Sequence, residues 1–121
     1  MADSVLRKKS KEFAKGVVCL CRKMKQNGVE GALINQLLRC GTSVGANVHE
    51  AQYAQGTKDF ISKFEIALKE CNESEYWLEL LFETDSISEA EFKNYQKECI
   101  ELRRMLVSSV TTLKNKKGFR F

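Results

Sequence analysis

His49 and Glu50 open the His-Glu-x-x-His pattern of a zinc protease, but Tyr53 stands where the second histidine belongs. His49 is the single histidine of the chain, so a two-histidine metal site is excluded. A ferritin-like di-metal centre needs Glu-x-x-His on two helices, a spacing this sequence lacks. Residues 41–45, Gly-Thr-Ser-Val-Gly, invite comparison with a phosphate-binding loop; the glycines are too close together and no lysine follows. The five cysteines are an odd number without the spacing of a disulfide framework. On a helix, Cys19 and Cys21 point about 200° apart and cannot grip one ion. Cys40, Cys71 and Cys99 fall at apolar positions, where cysteine packs as a small hydrophobe. No serine or cysteine is matched with a base. The chain reads as non-enzymatic, with no cofactor and no metal.

Two kinds of polar residue remain to be placed. Arg39, Ser43, Asn47 and Glu50 recur along one flank of a helical stretch, beside its apolar stripe. Glu75 falls inside the apolar stripe of the next stretch, between Cys71 and Leu78. An unpaired buried carboxylate is costly, so Glu75 calls for a partner, and Arg39 and Asn47 are the candidates. Together these five residues form a candidate polar network at the core edge, fixing register or building a site. The second kind is cationic. Arg7, Lys8, Lys11, Lys15, Arg22 and Lys25 gather opposite the apolar arc of the first helix, and Arg103, Arg104, Lys114, Lys116, Lys117 and Arg120 cluster toward the C-terminus. Residues 65–98, by contrast, hold ten acids and three bases, so the net charge of +4 conceals a polarised molecule.

The elements that position these groups are helices. Proline is absent, which leaves every backbone N–H free to join a helical ladder. Leu6, Phe13, Val17, Leu20 and Met24 share a narrow arc at about 100° per residue, predicting a first helix from Val5 to Asn27 that Asn27-Gly28 stops. Leu33, Leu37, Cys40, Val44, Val48 and Ala51 stripe a second over Ala32–Gln55, closed by Gly56. In it, Gly41 and Gly45 sit four apart and let a neighbouring backbone approach. Thr57 caps a third helix, with Asp59 in its first turn, that runs to Thr84 on Phe60, Ile61, Phe64, Leu68, Cys71, Leu78 and Phe82. Ser88 and Glu91 form a capping box for the fourth, with Ile87 stapled onto Phe92. Its seam is Phe92, Tyr95, Cys99, Leu102, Leu106, Ser109 and Leu113, and Gly118 ends it. Connections this short force antiparallel neighbours. The fold is all-α: one domain over residues 1–121, an antiparallel up-down-up-down four-helix bundle.

The third helix carries a second apolar patch, Ile66, Trp77, Leu80 and, at its margin, Leu81, nearly opposite the core stripe. Exposed patches containing tryptophan are usually association sites, so these four are candidates for a self-association interface. No stretch is long and apolar enough to span a membrane, and the N-terminal residues lack the apolar core of a secretion signal; a cytoplasmic protein is expected.

Residues 35–83 resemble the bacterial four-helix-bundle family named after proteins encoded in intervening sequences of large-subunit ribosomal RNA genes. The matching residues are Gln36-Leu37 with Arg39, Ser43-Val44, Ala46-Asn47-Val48 and Glu50, then Asp59-Phe60, Ile66-Ala67-Leu68 and Tyr76-Trp77-Leu78. Where the family often has glycine after Asn-x-x-Glu, this chain has Ala51. The resemblance implies a homopentameric ring and kinship with accessory proteins of diversity-generating retroelements, which associate with a reverse transcriptase and present basic surfaces to nucleic acid. It implies no enzymatic activity, and the family's ribosomal-protein label does not make the chain a ribosomal subunit. Asn47 and Glu50 match polar positions of the family. The functional expectation is a self-associating bundle whose basic surfaces bind RNA or DNA, as an accessory to a reverse transcriptase or another nucleic-acid enzyme. The alternative is a pure protein-interaction module, its charge devoted to packing one subunit on the next.

Overall fold

The structure, a computed structural model, describes residues 2–117. Four helices account for nearly all of it: α1 (Ala2–Gln26), α2 (Gly31–Ala51), α3 (Thr57–Glu83) and α4 (Glu89–Lys117). Each packs on its neighbour in chain order, and α4 closes back on α1. Cross-helix pairs run in opposite directions, Val17 against Gly41 and Ser10 against Gly45, then Glu65 with Lys114 and Glu75 with Arg103. The result is the expected antiparallel four-helix bundle. No helix among the described residues is long and apolar enough to cross a membrane.

The first helix buries the arc read from its sequence: Leu6, Phe13, Val17, Leu20 and Met24 are all in the core. Gly28 ends α1 at φ +78°, and the Val29 N–H reaches back to the Met24 carbonyl at 3.0 Å. The capping box of α4 forms in both directions. The Ser88 N–H donates to Glu91 Oε1 at 2.8 Å, and the Glu91 N–H donates to Ser88 Oγ at 3.1 Å. Lys23 of α1 donates to the other Glu91 oxygen at 2.7 Å, and with the Ser88 contacts it holds that carboxyl below its usual range. Ile87 and Phe92 are both buried, and the Phe92 ring stacks flat on Phe82 of α3.

Four boundaries and faces differ from the sequence reading. Helix α2 stops at Ala51, four residues short of Gln55, and an irregular link runs to Gly56. Gly56, in extended backbone, takes the N-cap position of α3 in place of Thr57, and Asp59 accepts the Gln55 N–H at 3.2 Å. Leu81 is fully buried rather than part of the outer patch. Because α3 touches both α2 and α4, it buries a wider arc than one seam requires, and that arc takes in Ala67, Ser74 and Leu81. In α4, Val110 is buried where Ser109 was expected. Gly118, the expected stop of α4, and Arg120 lie outside the described residues, as does the Lys117 side chain.

The α1–α2 seam is close-packed at two glycines. A Cβ on Gly41 would sit 2.9 Å from Val17 Cγ1, and one on Gly45 would sit 3.1 Å from the Ser10 carbonyl oxygen. Gly45 therefore admits the α1 backbone itself, as the spacing suggests, while Gly41 makes room for the Val17 side chain. The α1–α4 seam is sparser and is bridged by polar contacts. The Tyr95 hydroxyl donates to the Gly16 carbonyl at 3.1 Å, and Lys9 pairs with Glu101 at 3.0 Å.

Gly41→Val should lower stability by about 1–3 kcal/mol, because the stiff, buried Val17 cannot retreat. Gly31→Ala, at an open position with no atom near the new methyl, should be neutral or slightly stabilising. Denaturant unfolding of the two variants checks the contrast; equal effects would contradict the close-packing account.

Candidate nucleic-acid interface

The cations predicted as a basic surface divide into two groups. On α1, Arg7, Lys8 and Lys11 are exposed and have no ion-pair partner among the described residues. Arg22 and Lys25 on the same helix are exposed and likewise unpaired there. Lys15 makes only a 3.4 Å contact with Glu12, one turn away. On α4 the pattern is mixed. Arg103 donates to Glu75 at 2.7 Å and to Asn72 at 3.1 Å, and Lys114 pairs with Glu65 at 3.1 Å. Arg104 remains exposed. The structure thus ties Arg103 and Lys114 to α3 carboxylates and Lys9 and Lys23 to α4 carboxylates, and leaves Arg7, Lys8, Lys11, Arg22 and Lys25 of α1 and Arg104 of α4 facing solvent.

Arg7, Lys8 and Lys11 border a surface groove of about 460 Å³ between α1 and α2. Its other wall is α2, where Gly45 and Ala46 keep the floor low and His49 stands at one end. His49 is exposed. Its ring lies 5.5 Å from that of Tyr53, centroid to centroid, and Tyr53 is 74% exposed. Sequence reasoning used Tyr53 only to exclude a zinc site. The signal for its role was available: residues four apart at the end of a helix bring their rings together.

The proposed polar network does not assemble as one unit. The partner of Glu75 is Arg103 of α4, neither Arg39 nor Asn47. Hydrogen bonding to Glu75 raises the Arg103 guanidinium further above its ordinary value. Arg39 reaches across to α3, donating to Glu70 at 3.2 Å and to Glu73. Ser43 and Asn47 turn inward along α2 itself, donating to the Arg39 and Ser43 carbonyls at 2.7 and 2.9 Å. Glu50 is exposed. These residues make two interhelix clamps and a run of side-chain-to-backbone bonds along α2.

Of the outer apolar patch, Ile66 is 41% exposed, while Leu80 and Trp77 are half-buried. The Trp77 indole N–H donates to Glu73 at 3.2 Å, which ties it to the Arg39 clamp. Tyr76, more exposed at 58%, sets its ring edge-on to Trp77. Ile66, Tyr76 and the open part of Trp77 are the apolar surface that this part of α3 leaves exposed.

A family model described as "23S rRNA-intervening sequence protein" matches residues 2–108, from the start of α1 well into α4. The chain belongs to that family. Membership extends the resemblance read at residues 35–83 over the first three helices and most of the fourth. A crystal structure from Bacteroides thetaiotaomicron VPI-5482, described as a protein with unknown function from the S23 ribosomal protein family, is 42% identical. It superposes with a TM-score of 0.89, over 92% of this chain and 99% of that one. No curated protein matches the chain. The family thus fixes the fold, and the charge pattern has to carry the functional reading.

The cysteines stand apart from this interface. Cys21, Cys40, Cys71 and Cys99 are buried and Cys19 is exposed. Burial, with Cys40 nearby, pushes the Cys21 thiol up to about 11, and burial also raises Cys40. A chromogenic disulfide reagent should therefore titrate one fast thiol per native chain and all five after denaturation. Two or more fast thiols in the native protein would contradict the burial.

Proposed function

We propose that this family member is a non-enzymatic, self-associating bundle that binds RNA or DNA through the basic face of α1. One observation carries the reading: Arg7, Lys8 and Lys11 project from one face with no carboxylate neutralising them among the described residues, while Arg103 and Lys114 are paired. Unpaired cations on a rigid helix are free to neutralise the phosphates of a polyanion, and the counterions condensed on that polyanion are then released to solvent, which drives binding. In a closed ring the face would repeat with each subunit, multiplying its effective strength. The family's implied pentamer supports that geometry, and Ile66 and Tyr76 supply apolar surface for it. Such a ring would serve a reverse transcriptase or another nucleic-acid enzyme as an accessory, working in the cytoplasm.

The exposed Ile66 and Tyr76 equally favour a second reading, in which the protein is a protein-interaction scaffold. The two readings differ in what a polyanion does.

Fluorescence anisotropy with a generic RNA should show binding that weakens with salt, with a log–log slope of about −3 to −4 if about four phosphates are contacted. Reversing Arg7, Lys8 and Lys11 to glutamate should abolish binding without changing the mass measured by light scattering. That mass should be a multiple of the 13.8 kDa chain. No binding at low salt would reject the nucleic-acid reading, and a clean monomer at micromolar concentration would reject self-association.

A further inference from the structure

Resting on the nucleic-acid reading, we infer that the α1–α2 groove takes a single strand, its phosphates on Arg7, Lys8 and Lys11 and one base stacked on the open face of Tyr53 beside His49. Three features converge on this occupant. The α1 wall supplies three unpaired cations within about one helical turn, and no described carboxylate lines the groove. The α2 wall is cut low at Gly45 and Ala46, so a sugar-phosphate chain can approach the helix backbone there. His49 stands at the groove's end, and the Tyr53 ring lies just beyond it, 5.5 Å from the His49 ring and tilted 56° to it; Tyr53 is the most exposed large apolar side chain described.

Tyr53 does no work for the core. It lies just beyond the end of α2, in the link to α3, where a polar residue would satisfy the fold as well. An aromatic face left open beside a cationic groove suits an unpaired base, because every base offers a π-face. A duplex cannot use it: its bases are stacked on one another and present only edges and phosphates. The groove thereby narrows the ligand from polyanions in general to single strands. An acidic peptide would satisfy the cations and leave the aromatic pair unused.

The test compares a labelled oligothymidylate, an abasic strand of equal length and a hairpin duplex, by anisotropy at fixed salt. Wild-type protein should prefer the oligothymidylate to the abasic strand by about tenfold, the size of one base–aromatic stack. Tyr53→Ala should bring the oligothymidylate down to the abasic level and leave duplex binding and the salt slope unchanged, and Tyr53→Phe should restore the preference. If Tyr53→Ala binds oligothymidylate as tightly as wild type while the Arg7/Lys8/Lys11 reversal binds nothing, the groove inference fails and the charge reading stands. If an oligoglutamate of equal charge displaces the strand at equal concentration, the groove is an acidic-peptide site and the inference fails. Absence of any strand binding by wild type at low salt overturns both.

Discussion

Helices α1 and α2 meet backbone to backbone where Gly45 faces the Ser10 carbonyl, and most of the surface described above depends on that approach. A side chain at Gly41 or Gly45 would push the two helices apart, and the groove between them would lose its floor. Glycine inside a helix costs about 1 kcal/mol relative to alanine, so the close packing has to offset about 2 kcal/mol for the pair. Val17 against Gly41 and the buried Ser10 beside Gly45 supply that contact. Ser10 is tolerated because its hydroxyl donates to the Arg7 carbonyl at 3.1 Å. The same approach sets the cations of α1 directly over the small residues of α2.

Ion pairs decide which charges remain available more than they decide whether the bundle folds. Each exposed pair contributes about 0–1 kcal/mol, whereas one fully buried leucine contributes about 1.5–3 kcal/mol. The core built on Leu6, Phe13, Leu37, Phe64, Leu78 and Leu102 therefore specifies the fold. The pairs act as a sorting device. Glu65 and Glu75 of α3 take Lys114 and Arg103 of α4, Glu70 and Glu73 take Arg39 of α2, and Glu91 and Glu101 of α4 take Lys23 and Lys9 of α1. What is left on α1 is the flank turned toward α2, where Arg7, Lys8 and Lys11 have no ion-pair partner among the described residues, although Lys8 also borders a cleft toward α4 lined by Glu12, Glu98 and Glu101. The polarity visible in the sequence becomes, in three dimensions, a neutralised side and a bare side.

The helices were legible because their signals are local. The arc of α1, the Gly28 stop and the Ser88–Glu91 capping box each rest on residues within one or two turns of one another. The errors arose where a second element intervened. Leu81 looks marginal on a wheel centred on one seam, and becomes core once α3 is flanked on both sides. Glu75 finds Arg103, 28 residues away, a pairing that depends on the register of α3 against α4 and on no local pattern. The early end of α2 depends on Asp59 capturing the Gln55 N–H, a bond that belongs to the next helix. The candidate site was half-legible: its cations could be read from a charge count, while its floor and its aromatic end needed α1 and α2 in register.

The most direct measurement of the central claim is lysine footprinting, in which an acylating reagent modifies the protein with and without a bound oligonucleotide and mass spectrometry reads each site. The account predicts strong protection at Lys8 and Lys11, with Lys93, Lys97 and Lys116 of α4 modified equally in both samples. Protection confined to α4, or none at Lys8 and Lys11 when the oligonucleotide is bound, would contradict the assignment of the bare α1 face as the nucleic-acid surface.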